Sequence, residues 1–332
     1  MTGVGCQTVN RDRTLRRWAL RLLAGVCGLI VFAALGGITY QWLATRHDLA
    51  ATPPPGRLID VGGHRLHLWC TGEGAPAVIL DTGLGGSSAD WGLVQPEVAK
   101  FTRVCSYDRA GMGYSDRGPS PRTARRIASE LAELLQRSGI TGQIVLVGAS
   151  IGGLNVRVFA SDHPAQVAGL VLVDASHEDQ PHEIPGLARF VPLLSTIGAF
   201  RLLGVSFGQP IESLPVSVQP FARATRFRAA GYRAAADEIQ HMQESAAEVR
   251  TSRRKLPVPV VVVTGRHGAD GDWHQLQRDQ ASLSDRGCLI VARDSGHVVA
   301  LDQPRTVVDA IRKVVETAKG RDVELCAVPP AP

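Results

Sequence analysis

The chain opens with one long apolar block and then changes period. Residues 1–21 are polar and rich in arginine, whereas residues 22–45 carry no charge, are mostly apolar and show no polar face. A helix over that block rises about 1.5 Å per residue, long enough to cross about 30 Å of hydrocarbon. Trp18, Tyr40 and Trp42 stand near its ends, where interfacial aromatics belong. A linker over 46–56 follows. Its proline run, Ala51-Thr52-Pro53-Pro54-Pro55-Gly56, predicts a stiff spacer that holds the next domain off a bilayer.

From residue 57, short apolar runs alternate with helical patterns. Runs at 57–61 and 64–69, joined by Gly62-Gly63, predict a hairpin. Further runs at 77–80, 103–107, 143–147, 167–173, 258–264 and 288–292 read as buried strands. Helical patterns fall at 89–100, 123–137, 154–160, 272–283 and 304–319. Thr123 or Ser120 offers an N-cap, Gly139 a stop and Pro304 a start. Between 178 and 255 the alternation stops. Pro181, Pro185, Pro192, Pro210, Pro215 and Pro220 punctuate short apolar helices there, and 229–250 is a longer helical pattern. We read 178–255 as a helical cap inserted into a core made of 57–177 and 256–320, with an irregular tail over 321–332. Strands alternating with helices predict an α/β domain, a mostly parallel sheet covered on both faces.

Charge sharpens the reading of the first block. The 332 residues carry a net charge of +5, and Arg11, Arg13, Arg16, Arg17 and Arg21 against Asp12 supply +4 of it. The rest of the chain is close to neutral, so the basic balance signals membrane topology and not nucleic acid. The positive-inside rule places the N-terminus in the cytoplasm and everything after the block outside, as a single-pass cell-membrane protein. A cleaved signal peptide would have an apolar region of about 7–15 residues; this one is longer, and an uncleaved anchor is expected. The six cysteines form no Cys-x-x-Cys and the ten histidines no His-Glu-x-x-His. His64 and His67, three apart on a strand, point to opposite faces. No metal site and no cofactor are expected.

The chemistry centres on Gly148-Ala149-Ser150-Ile151-Gly152-Gly153, placed between a β-branched run and a helical pattern. Strand, sharp turn and helix put Ser150 at the apex. A nucleophile on so tight a turn needs small neighbours, which Gly148, Ala149, Gly152 and Gly153 supply. The backbone N–H of Ile151, at the helix start, is placed to stabilise an oxyanion.

Four motifs in order resemble those of the α/β-hydrolase superfamily, over residues 57–319. They are Thr82-Gly83-Leu84-Gly85, similar to the oxyanion loop; Tyr107-Asp108-Arg109-Ala110-Gly111-Met112-Gly113-Tyr114-Ser115-Asp116, similar to the family's Tyr-Asp-x-Arg-Gly-x-Gly-x-Ser turn; the elbow at Ser150; and Ser295-Gly296-His297, similar to the loop of the catalytic histidine. The chain departs from the pattern at Ala149 and Thr82, where many members carry histidine. Gly268 stands where relatives commonly place the acid. The resemblance implies a mostly parallel eight-stranded sheet, with Ser150 as nucleophile, His297 as base and Leu84 and Ile151 as oxyanion donors. For the acid, three carboxylates compete. Asp270, in a flexible stretch, is preferred; Asp174 follows the 167–173 strand; Asp272 is positioned to cap a helix. His267 and His274 are rivals to His297. Asp108 and Arg109 are expected to tie the loop beneath the site, and Asp81 and Asp90 to serve turns or caps.

The implied activity is membrane-anchored serine hydrolysis of carboxylic esters, with a small-molecule substrate bearing an apolar acyl or alkyl group. Thioesterase, lipase or peptidase activity, or a binding protein that kept the fold without chemistry, are the alternatives. A nucleophilic serine argues against epoxide hydrolases and haloalkane dehalogenases, and Tyr232 is the lone tyrosine of the cap. The family's sheet order also makes the strands of Cys70 and Cys105 neighbours. A disulfide there would close about 35 residues, worth roughly 3–4 kcal/mol in an oxidising compartment.

Overall fold

The computed structural model of the chain describes residues 5–181, 186–206, 208–266 and 271–326. Helix α1 (Gly5–Ala51) opens it. The expected break at residue 45 is absent. The helix continues to Ala51, and its last turns pack on the cap: Gln41 Nε2 donates to Phe227 O at 2.5 Å, and Arg201 Nη1 pairs with Asp48 at 2.6 Å. Thr52 O accepts the Tyr114 hydroxyl at 2.9 Å. The spacer is therefore short, and the domain rests against the helix instead of standing off from it.

Eight strands follow: β1 (Arg57–Asp60), β2 (Arg65–Thr71), β3 (Ala77–Asp81), β4 (Val104–Asp108), β5 (Ile144–Ala149), β6 (Val167–Val173), β7 (Val260–Gly265) and β8 (Gly287–Ala292). They form one sheet in the order β1-β2-β4-β3-β5-β6-β7-β8. β2 runs antiparallel to β1 and β4, and every other pairing is parallel. Alternate residues feed two cores. Ile144 and Leu146 face the layer of α3 (Ala124–Arg137) and α4 (Gly152–Asp162), while Val145 and Val147 face that of α12 (Pro304–Ala318). Burial on both faces is why these strands read as unbroken apolar runs.

Two expected helices are split. The 89–100 pattern becomes a 3₁₀ turn at Ser88–Trp91 and a single turn, α2 (Gln95–Val98), because Pro96 can begin a helix but not continue one. The 229–250 pattern breaks at His241, whose Nδ1–H reaches back to Asp237 O at 2.9 Å. This separates α8 (Ala229–Gln240) from α9 (Met242–Ser252). The other helices inserted between β6 and β7 are α5 (Val191–Thr196), α6 (Ala199–Leu203) and α7 (Gln219–Arg226). α10 (Gly271–Ala281) and α11 (Val299–Asp302) flank β8.

Cys70 and Cys105 are register partners of β2 and β4, with Cα atoms 4.0 Å apart, and are bonded. A second disulfide, Cys288–Cys326, was not anticipated; it ties the irregular tail back to β8.

The inserted segment leaves and re-enters the core at one ionic junction. Buried Glu178 receives a bidentate pair from Arg157 at 2.6 and 2.8 Å and a bond from Arg253 at 2.7 Å. Burial opposes the charge of Glu178, but the bonds and charge of Arg157 hold its carboxyl well below the usual glutamate range. Removing one member of a buried pair leaves the others uncompensated, so Glu178→Gln is expected to destabilise the protein by about 3 kcal/mol near neutral pH. A depressed folded-state pKa stabilises fully above the ordinary value of 4.5, and that stabilisation is lost as pH falls through the folded-state value. Thermal melts of the two proteins should therefore converge between pH 4.5 and the acid limit of folding. Equal melting temperatures at pH 7 would rule out this role.

Candidate active site

The turn between β5 and α4 is strained in the way its sequence requires. Ser150 has φ 50°, a left-handed value rare for a residue with a side chain. A Cβ on Gly148 would lie 2.7 Å from Gly152 O, and one on Gly152 would lie 2.7 Å from Asp81 O. Only glycine lets strand and helix approach this closely. Ile151 stands at the N-cap of α4, the first residue after the serine.

Ser150 Oγ lies 3.0 Å from His297 Nε2, and His297 Nδ1 lies 2.6 Å from Asp174 Oδ2. With its Nδ1–H donated to the carboxylate, the imidazole presents the Nε2 lone pair to the serine hydroxyl. Asp174 is itself held in a left-handed conformation, φ 42°. Its second oxygen accepts from Thr264 Oγ1 at 2.6 Å, Gly265 N at 3.0 Å and Trp273 Nε1 at 3.0 Å. Burial pushes the Asp174 carboxyl up, but the hydrogen bonds from His297, Thr264 and Trp273 and the charge of His297 outweigh it. The carboxyl is held below its ordinary range and stays ionised.

Of the three carboxylates weighed from the sequence, Asp174 is the one bonded to His297. Asp270, the preferred one, lies outside the described residues, as does the rival His267. Asp272 lies in the first turn of α10. His274 donates from Nε2 to Gly265 O at 3.1 Å, away from Ser150.

The loop after β3 closes the other side. A Cβ on Gly83 would lie 3.3 Å from Ser150 Cβ, and Leu84 lines the same cavity as Ser150 and His297. That cavity measures about 390 Å³ and is walled by Trp91, Val173, Gly208, Gln209 and Val298–Ala300. The loop is oriented by Arg109, which donates to Thr82 O at 2.6 Å and Gly83 O at 2.8 Å. Carbonyl and N–H point oppositely in a trans peptide, so this aims the Leu84 N–H away from Arg109. Arg109 also binds Asp81 at 2.7 Å and Glu238 of α8 at 2.9 and 3.0 Å. Burial opposes its charge, but Glu238 and Asp81 more than offset it and raise its pKa. Asp90 accepts from Ser87 N at 3.0 Å and Thr82 Oγ1 at 3.2 Å, the capping part read for it; its burial raises its pKa.

Two members of this framework escaped the sequence reading. Glu238 is one acid within a helical pattern, and His67, whose Nδ1 lies 2.8 Å from Asp108, was weighed only as a metal ligand. The available signal was indirect: an arginine and an aspartate beneath a site need buried counter-charges.

A sheet in the order 1-2-4-3-5-6-7-8, with its strained serine on the crossover after the fifth strand, has the α/β-hydrolase arrangement. The chain belongs to the alpha/beta hydrolase family, whose model matches residues 78–310. An AB hydrolase superfamily protein of Gibberella zeae is 25% identical over 282 residues, 74% of this chain and 87% of that protein. An uncharacterized protein of Schizosaccharomyces pombe is 38% identical over 119 residues, 34% of this chain but only 22% of its own length. Among solved structures, Cfl2 of Burkholderia cenocepacia superposes with a TM-score of 0.64 at 24% identity, covering 78% of this chain and 95% of Cfl2; that likeness carries the fold alone.

The geometry predicts a clear ranking of carboxylate variants. An amide at 174 would favour the wrong imidazole tautomer, so Asp174→Asn should lower kcat on a short-chain aryl ester by about 10,000-fold. Asp270→Asn and Asp272→Asn should stay near wild type. The reverse ranking would remove Asp174 from the site.

Proposed function

We propose that the protein is a membrane-anchored serine hydrolase that cleaves carboxylic esters through an acyl-enzyme on Ser150. The single observation that carries this reading is the chain of bonds from Ser150 Oγ through His297 to Asp174, at 3.0 and 2.6 Å. Ser150 Oγ attacks the ester carbonyl as its proton passes to His297 Nε2. The N–H groups of Leu84 and Ile151 receive the oxyanion. Collapse of the tetrahedral species breaks the bond to the alkoxide, which takes the proton from His297. Water, deprotonated by the same histidine, then releases the acid and restores Ser150. Asp174 holds the imidazole tautomer and stabilises its charged form. The cavity beside Ser150 is large enough for a small acyl group and mostly apolar in its walls, in keeping with an acyl or alkyl substrate.

The anchor is α1. Its segment Leu15–Ala51 is long and apolar enough to cross a membrane. The arginines on its N-terminal side favour a cytoplasmic N-terminus and an extracytoplasmic hydrolase. Two disulfides in the domain that follows accord with an oxidising compartment.

A fluorophosphonate probe tests the chemistry on membranes that contain the full chain. It should label Ser150, and Ser150→Ala should abolish labelling and lower ester turnover by at least about 10,000-fold. A chain that takes no label and turns over no ester would be a binding protein on a hydrolase fold. Protease added outside intact cells should digest the domain after Ala51 while the anchor remains in the membrane; protection of the domain would reverse the topology.

A further inference from the structure

Among the described residues outside α1, eight large apolar side chains are exposed, and six of them stand in residues 190–205: Phe190, Leu193, Leu194, Leu202, Leu203 and Val205. Leu193, Leu202 and Leu203 are 60%, 68% and 74% exposed. A cluster of this kind on an otherwise polar domain marks an interaction surface. We propose that this face of the cap, α5 and α6, is immersed in the outer half of the bilayer beside α1, with lipid acyl chains as its occupant. The proposal rests on the reading of α1 as a membrane anchor.

Three observations favour lipid over another protein. The first is depth. A Cβ on Gly37 of α1 would collide with the Ile197 carbonyl at the end of α5. Gly37 lies eight residues before Thr45, the end of the uncharged block, which is about 12 Å along the helix axis. Even a span of about twenty residues counted from Leu22 ends near Gln41 and leaves Gly37 about 6 Å inside the hydrocarbon. A cap that touches Gly37 cannot stand wholly in water if α1 spans from its arginines outward. The second observation is charge. Residues 190–205 hold one charged side chain, Arg201, and it is paired with Asp48 of α1 at 2.6 Å. The third is hydrogen bonding. Ser195 and Thr196 donate to Pro192 O at 3.0 and 2.6 Å, and Thr196 Oγ1 also accepts from Arg233 of α8, so both hydroxyls are satisfied within the protein, as a segment set in hydrocarbon requires. The same stretch of chain runs on to Gly208 and Gln209, which line the cavity at Ser150.

Site-directed fluorescence tests this on the full chain in phosphatidylcholine vesicles. Cys6 and Cys27, the two cysteines outside the disulfides, are replaced by serine, and NBD is attached without reductant to Leu193→Cys, Leu203→Cys or, as an aqueous control, Val216→Cys. Val216 is 81% exposed and sits beside Asp48 and Thr52, beyond the uncharged block. Doxyl-labelled phosphatidylcholine should quench the probes at 193 and 203 at least about threefold more than the probe at 216, with blue-shifted emission. Retained fluorophosphonate labelling of Ser150 reports that each variant is folded. Equal quenching at all three positions would overturn the proposal. Blue-shifted emission at 193 and 203 without lipid quenching would overturn it in favour of a protein occupant, such as a second copy of the chain. A Cys6→Ser chain that keeps Cys27 separates failure of the anchor: Cys27 should resist a polar maleimide until detergent is added. If Cys27 stays protected while position 193 is aqueous, the anchor stands and the immersed cap does not. If Cys27 reacts freely, both fall.

Discussion

One buried guanidinium holds the site together. Arg109 donates all five of its N–H groups: to both carboxylate oxygens of Glu238, to Asp81, and to the carbonyls of Thr82 and Gly83. The sheet supplies Asp81, the loop beside Ser150 supplies the carbonyls, and the cap supplies Glu238. A planar fork with fixed donor angles leaves these three parts little freedom to move separately. Tyr107 and Asn155 complete the shell of Asp81 at 2.8 and 3.0 Å, so the carboxylate facing Arg109 is itself held. The network is costly to desolvate, which makes it weak evidence for net stability. Its value here is positional: it fixes where the Leu84 amide points.

Two strained residues depend on that rigidity. Ser150 and Asp174 end neighbouring strands, and both adopt left-handed backbone conformations. Such conformations persist only where the surroundings over-determine them. Ser150 N donates to Val173 O, Asp174 N to Val263 O and Ser176 N to Ser150 O, so each bend is hydrogen-bonded into the next strand or turn. The serine and its distant carboxylate are thus set by the same pair of strand ends. The histidine loop follows the last strand and is braced by Asp302, which accepts from Gly296 N at 2.9 Å and Ser295 Oγ at 3.1 Å.

The cap is held at both its base and its outer side. Glu178 ties its two ends to α4 through Arg157, and Arg201 and Phe227 O fasten it to α1. The helix that begins the chain therefore packs as part of the domain.

Much of this was legible in local pattern. Unbroken apolar runs indicated strands buried on both faces, and glycine spacing around Ser150 indicated a bend that only small residues permit. Ser295-Gly296-His297 lay where a loop follows the last strand. These features depend on neighbours a few residues away, which is the range over which a sequence constrains its own backbone. The choice of carboxylate did not. Asp174 and His297 are 123 residues apart, and three acids lay near the ends of plausible strands. Arg109 and Glu238 are 129 residues apart, and Gln41 meets Phe227 across 186. Cys326 sat in a tail with no periodic pattern, yet it is bonded to Cys288. Strand order and cap docking bring these groups together. The sequence determined which groups could take part; tertiary packing decided which of them met, because a buried charge is stable only beside the partner that packing delivers.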